Sequence, residues 1–434
     1  MVLRAWAAGL AVLAGMAVPL TVATPAAAQP PPSGIGAYIA NQGSDTVSVW
    51  DPGNPAVNPH LVATVPVGDA PVDVAISPDG RRVYVANSGS AQQPGSVSVI
   101  DTATSTVVAT IPVGAGNTPS GVAVHPNGTR VYVTVTRGAQ PGSLLSIDTA
   151  TNTVVATIPV GLGPNDVAVR PDGAVGYVTN SGSNNLTGFR PADNSTFTVA
   201  NVGMDPQDVA FSPDGGLAYV TALGVVSVIT TDNSTVVNQI SLPDGPDGPA
   251  EPTGVLVSPN GGNIYATLLQ AGAVAVIDPS DDNSVSTVEV GADPVGIAYN
   301  NNTEFAGGVW VTNSNSNTVS VIDDVLLPRV SETLSGGFNQ PVAVAIGAVP
   351  VSPQPQIPTM DSVPSKSYGD GDTVVYGHGN NIGGRDNLVG SGHTAGTGHV
   401  VGTGHVVGTG NPWWLGPGGS ASRIRRMSWV DGSS

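Results

Sequence analysis

The chain has 434 residues, with 13 Lys+Arg against 31 Asp+Glu for a formal charge of −18, and no cysteine. Disulfide scaffolds, cysteine-ligated zinc, cysteine nucleophiles and lipobox acylation are therefore excluded. An electrostatic grip on nucleic acid is not expected either, because phosphate contacts need an excess of Lys and Arg. The 57 glycines and 38 prolines, with only 10 % charged residues, describe a turn-rich β protein and not a helical one.

The chain opens with a basic start (Met1–Arg4), an apolar run from Ala5 to Ala23, and the small residues Ala26–Ala28 ahead of Gln29-Pro30-Pro31-Pro32. This is the layout of a secretory signal peptide, with cleavage expected after Ala28. The alternative is a retained anchor, since the run approaches the ~20 residues that a span needs. Its Ala/Gly content and its small-residue cleavage site favour removal. No second apolar run of that length follows, so no transmembrane span is expected in the mature chain. The protein is expected to be secreted or extracytoplasmic, and associated with the cell wall if its tail acts as a tether. Residues 29–35 form a short leader.

Internal repeats dominate the next three hundred residues. Tyr38-Ile-Ala-Asn41 recurs as Tyr84-Val-Ala-Asn87, Tyr132-Val-Thr-Val135, Tyr177-Val-Thr-Asn180, Tyr219-Val-Thr-Ala222, Tyr265-Ala-Thr-Leu268 and Trp310-Val-Thr-Asn313, at spacings of 42 to 48 residues. Residues 71–114 show the unit. Pro71–Ile76 is a short β-prone run. Ser77-Pro78-Asp79-Gly80 is a turn in which Pro presets φ and Gly accepts φ > 0. Arg82–Asn87 and Ser96–Asp101 alternate as half-buried strands do, and Thr106–Ile111 is a fourth strand. Four short strands per ~45 residues match one propeller blade. The first unit starts at its second strand, near Gly36. The missing first strand stands at the far end, as Pro341–Ile346. The expected fold is thus an all-β, seven-bladed β-propeller over residues 36–347, in which one blade is shared between the two ends. Such closure leaves no open blade face.

The tetrads, the SPDG turns and strands such as Val97–Asp101 and Thr106–Gly114 resemble the YVTN β-propeller repeat family of bacterial surface and exported proteins. The resemblance spans roughly residues 36–347 and implies the propeller fold. It implies little chemistry, because propellers host many functions. The pattern is also similar to phosphogluconolactonase-like and streptogramin-lyase-like propellers, but no catalytic motif of either is found. Blade 4 departs in its third strand (Leu186–Arg190), and blade 7 has Asn300-Asn301-Asn302 in place of the turn.

Residues 348–368 are Pro-rich and read as a semi-rigid linker. Residues 369–434 form a Gly/His-rich tail. Its six-residue unit repeats from Gly390, and Trp413, Trp414, Arg423, Arg425, Arg426 and Trp429 lie beyond it. The tail has too few apolar side chains to offset ordering entropy, so disorder is the favoured expectation. If instead each six-residue unit formed one turn of a stacked structure, His393, His399 and His405 would stand about 4.8 Å apart and could share a transition metal. The Trp/Arg cluster could rest on an anionic envelope polymer or be a frayed end.

In the propeller, the loops that enter the first strands gather carboxylates at the expected channel mouth: Asp69, Asp73, Asp166, Asp205, Asp208, Glu251 and Asp293. Convergent carboxylates could hold Ca²⁺ or another divalent cation, or the hydroxyls of a sugar. The simpler reading is that Asp favours turns and keeps an acidic protein soluble. His60 and His125 belong to different blades and have no Ser/Asp partner by sequence, so no catalytic residue is assigned. The function that follows is non-enzymatic binding at or near the cell envelope, with a polysaccharide or protein as ligand and no required cofactor. The alternative is a propeller hydrolase or lyase of lactonase type, using a divalent cation at the channel mouth. A surface-layer component is a third reading. Nothing in the sequence bears on oligomeric state.

Overall fold

The computed structural model describes residues 34–349, except 53–58, 247, 301–307 and 324–327, together with short strands between residues 381 and 407. The chain divides into two compact units, Met1–Val351 and Ser352–Ser434.

Seven four-stranded antiparallel sheets form the first unit. Blade 2 shows the common plan: an inner strand Pro71–Ile76, two middle strands Arg82–Asn87 and Ser96–Asp101, and an outer strand Thr106–Pro112. The inner strands of blades 3 to 7 are Thr118–Val124, Pro164–Val169, Val209–Phe211, Pro252–Val257 and Pro294–Asn300. Blade 1 takes Pro341–Val349 as its inner strand, and Gly34–Asn41, Thr46–Asp51 and His60–Pro66 complete it. The shared blade is therefore present, with both pairing strands about two residues longer than the repeats suggest.

The middle strands differ from the expected half-buried pattern. Arg82–Asn87 and Ser96–Asp101 are buried at nearly every position on both faces, because each blade is packed between two others. Only the outer strands alternate, as in Thr106–Pro112, which leaves Val62, Val108, Val155 and Val237 more than half exposed. The tetrad aromatics fill the spaces between blades: Tyr38, Tyr84, Tyr132, Tyr177, Tyr265 and Trp310 are among the largest fully buried side chains.

The repeated polar residues are fastenings. Asn41, Asn87, Asn180 and Asn313 each donate from Nδ2 to two polar side chains of the neighbouring middle strand, Asn41 to Thr46 and Ser48 at 3.2 and 2.8 Å. In the turns, Ser77 Oγ donates to Asp79 at 2.6 Å and accepts the Arg82 amide at 3.0 Å, while Gly80 takes φ +69°. The hydroxyl and amide donors hold the Asp79 carboxyl below its ordinary range despite partial burial. The strand-ending Asp101 and Asp148 cap the next turn and pair with Arg82 and Arg130.

The blade 4 departure is a compensated exchange. Gly188 stands where blade 2 has Val99, and its cross-strand partner is Phe197 where blade 2 has Ala109. The Phe197 ring occupies the space that a Cβ at 188 would need. The blade 7 residues Asn301 and Asn302 lie outside the described residues.

The ring closes by main-chain pairing of Gly34–Asn41 with Pro341–Val349. The turn after Asn41 adds a clasp, with Gln42 N–H donating to Gln340 O at 3.0 Å and Gly43 N–H to Asn339 O at 3.1 Å. Trp50 stacks on Phe338 at 5.2 Å between centroids.

In the second unit, Leu388–Ser391 pairs in parallel with Val400–Thr403, and Thr394–Thr397 with Asn381–Arg385 on one side and Val406–Val407 on the other. Leu388 faces Val400 and Thr394 faces Val406, so the pairing repeats every twelve residues and joins alternate six-residue units. Residues 1–33 and 350–380, the terminal Trp/Arg cluster and His393, His399 and His405 lie outside the described residues, while the last two leader positions, Gly34 and Ile35, and the first two linker positions, Ala348 and Val349, belong to the paired strands of blade 1.

Two outcomes follow. Ending the chain after residue 340 removes the inner strand of blade 1, and the shortened protein should lose its cooperative thermal transition, while a chain ended after residue 350 keeps it. Asn180→Ala strips partners from Asn185, Thr187 and the Gly161 amide and should cost about 1–3 kcal/mol in a denaturant titration.

Candidate functional site

The seven inner strands converge on an axial channel with a cavity of about 300 Å³. In each strand the residue after the proline and the next one reach the lumen. The first of these positions is polar in blades 3 to 6 (Ser120, Asn165, Gln207, Thr253) and apolar in blades 7, 1 and 2 (Val295, Val342, Val72). At the next position Asp73, Asp166 and Asp208 stand in blades 2, 4 and 5. Blades 3, 6 and 7 have Gly121, Gly254 and Gly296, and blade 1 has Ala343. The glycines are required by the approach of the next blade: a Cβ on Gly254 would lie 2.6 Å from Val295 O, and one on Gly121 2.8 Å from Asp166 Cα.

The sequence brought seven carboxylates to the channel mouth, and the structure separates them. Asp73, Asp166 and Asp208 line the channel. Asp69, Asp205, Glu251 and Asp293 do not; they stand in the entry loops. Asp205 and Asp293 precede their prolines with φ +50° and +52°. Ala70, Gly163 and Gln340 hold the same left-handed backbone at the same place, so the position selects a conformation and not a charge. Asp69 accepts the Ser90 hydroxyl at 2.6 Å, and Glu251 is exposed.

The channel carboxyls bind main chain. Asp73 accepts its own blade's Val74 amide at 2.8 Å and the Val122 amide of blade 3 at 2.7 Å. Asp208 accepts Val209 at 2.6 Å and, across to blade 6, Val255 at 2.7 Å. Asp166 accepts the Val167 amide, and its carboxyl is hydrogen-bonded to that of Asp208. All three carboxyls are part-exposed to the lumen and packed by protein on their other sides. Burial pushes the Asp73 carboxyl up to about 7, with Asp208 adding repulsion against the lowering effect of the two amides. Burial, the Asp208 charge and the bond to Asp208 drive Asp166 well above the ordinary carboxylate range.

A second set of residues was not singled out from the sequence. The third tetrad residue is Thr in five blades, and in blades 3, 4 and 6 its hydroxyl welds blade to blade. Thr134 accepts the Gly121 amide at 2.7 Å and donates to Asn165 O of blade 4 at 2.9 Å. Thr179 does the same between Asp166 N and Gln207 O, at 2.9 Å each. Thr267 joins Gly254 N to Val295 O at 2.7 and 3.0 Å. The readable signal was its place: Thr in five tetrads, Ala40 and Ala86 in the other two.

His125 sits in the blade 3 turn, with Nε2 3.1 Å from Gly173 O of blade 4 and Nδ1 accepting the Asn127 amide at 3.2 Å. It ties two turns together. His60 begins the outer strand of blade 1. Among the described residues no group of three or more His, Asp or Glu could hold a metal ion, and no helix is long and apolar enough to cross a membrane.

No protein-family model matches the sequence, and no curated protein matches it. Solved structures share its architecture. A functionally unknown protein from Desulfotomaculum acetoxidans is 19 % identical with a TM-score of 0.60, over 74 % of this chain and 100 % of that one. Hydrazine synthase of Kuenenia stuttgartiensis is 22 % identical with a TM-score of 0.57, over 69 % and 97 %. The periplasmic gluconolactonase PpgL of Pseudomonas aeruginosa is 18 % identical with a TM-score of 0.59, over 73 % and 99 %. Likeness at this level establishes the fold, and the three descriptions already diverge in function.

Thr179→Val keeps the shape of the side chain and removes the weld. It should destabilise the propeller by about 1–3 kcal/mol, the cost of a buried amide and carbonyl left without a partner, measured as a lower denaturation midpoint.

Proposed function

We propose that this protein is an exported, YVTN-type propeller that binds without catalysis at or near the cell envelope, with a polysaccharide or protein as its ligand. The observation that supports this best is the engagement of the channel acids. Both oxygens of Asp73 and of Asp208 already accept main-chain amides, so these groups are spent on joining blades. The surface left for recognition is the face formed by the entry loops. There Asp205 and Glu251 are exposed and Asp69 and Asp293 are partly so, a carboxylate rim suited to sugar hydroxyls or a basic protein surface. A cleaved leader would deliver the chain across the membrane, and the Pro-rich linker and Gly/His-rich tail would serve as spacer and tether.

A lactonase-type hydrolase is the second reading. Its support is the architecture shared with the periplasmic gluconolactonase and the Asp73 carboxyl, which at about 7 could exchange a proton near neutrality. A divalent cation at the channel would need ligands beyond the three acids.

The readings part in one experiment. Isolated envelope material is incubated with residues 29–434 and with a chain ended after residue 350, with and without chelator, and both chains are assayed for lactone hydrolysis. Envelope retention without lactone turnover is the expected result. Retention lost with the tail would assign tethering to the tail. Turnover abolished by Asp73→Asn, without envelope retention, would overturn the binding proposal in favour of the hydrolase.

A further inference from the structure

The channel acids follow a rule that fails at one junction. An Asp in the lumen reaches the next blade's amide where that blade offers glycine: Asp73 faces Gly121 and bonds Val122 N, and Asp208 faces Gly254 and bonds Val255 N. At the blade 4–blade 5 junction Asp166 meets Asp208 instead of a glycine. Asp208 itself accepts the Val209 amide that Asp166 would have reached. Carboxyl therefore meets carboxyl.

Among the described residues no ion pair brings a cation to either carboxyl. Pro71–Ile76 contributes Asp73, Pro164–Val169 contributes Asp166, and Asp208 directly precedes Val209–Phe211. Thr118–Val124, Pro252–Val257 and Pro341–Val349 carry no titratable side chain, and Tyr299 of Pro294–Asn300 packs into the core between blades 6 and 7. Arg82, Arg130 and Arg170 are paired with Asp101, Asp148 and Asp172 away from the lumen. Two hydrogen-bonded carboxyl groups without a counter-charge cannot both ionise without strong repulsion.

We propose that the Asp166–Asp208 contact is a pH-sensitive latch: a carboxylic acid–carboxylate pair that joins blades 4 and 5 at the axis while it retains one proton, and pushes them apart when that proton leaves. The latch stands whether or not the binding reading is right. Its sign is opposite to ordinary acid denaturation. The folded ring keeps a proton that the unfolded chain releases at the usual carboxylate pKa. The pair's contribution to stability is therefore fully present below that value and is lost as pH rises through the raised folded one. Asp73, raised from 3.8 to about 7 for the same reasons, extends the loss up to neutrality.

The test is the melting temperature of the full chain and of Asp166→Asn from about pH 5 to about pH 9. The wild type should lose several degrees, on the order of 5 °C, across this range. The variant amide donates to Asp208 without needing a proton. It should melt higher than wild type at the alkaline end and vary less with pH. Identical pH profiles, or a wild type more stable in alkali, would overturn the latch. If the variant does not fold, infrared spectroscopy of the wild type gives the answer. A carboxylic-acid carbonyl band present near pH 6 and retained in Asp73→Asn supports the pair, and its absence sinks it.

Discussion

Everything in this ring depends on satisfying main-chain groups where seven sheet edges meet at an axis. The middle strands are buried on both faces and complete their ladders within each blade. The inner strands cannot, because register shifts after the strand-opening prolines free amides such as Gly121, Asp166 and Gly254 from their own sheet. A buried amide without a partner costs as much as a lost hydrogen bond. Two side-chain devices answer this. In blades 3, 4 and 6 the tetrad threonine takes the freed amide and hands its own proton to the next blade's carbonyl. The luminal aspartate takes the following amide of its own blade and that of the next. Both cross the gap between blades, so each local repair is also a weld.

The seven copies of one unit made the blades readable, and the first strand missing at the start and present at the end made the closure readable. Both are facts of periodicity, which survives variation at single positions. The burial of the middle strands was not readable, because alternation of Val with Tyr or Ser looks the same on a half-buried strand as on one packed between two neighbours. The site was readable as a region but not in detail. Asp205 and Asp208 flank the same proline, and only backbone conformation separates a loop residue at φ +50° from one that lines the channel. The Ala, Gly and Gln at the pre-proline position of other blades hinted that no charge was needed there.

The two devices also divide the ring. Blade 2, with Ala86 in place of the threonine, is joined to blade 3 through the Asp73 carboxylate; blades 3 and 6 are joined forward by threonine. Either device suffices for one junction, so the repeat tolerates loss of one where the other is present. Blade 4 carries both, Thr179 and Asp166, and only there does the carboxyl find no free amide. The threonine already secures that junction.

Redundancy at this junction is what allows an unfavourable contact to persist in the ring. A carboxyl pair that had to hold two blades alone would open the propeller on losing its proton. Placed beside the Thr179 weld, it can weaken without releasing the blades, because the weld consists of neutral groups and does not titrate in the same range. The consequence of deprotonation is then a graded loosening of one seam, centred on the lumen. The entry loops at Asp205 and Glu251 lead directly into the inner strands of blades 5 and 6, which places the proton-dependent part of the ring under the entry-loop face.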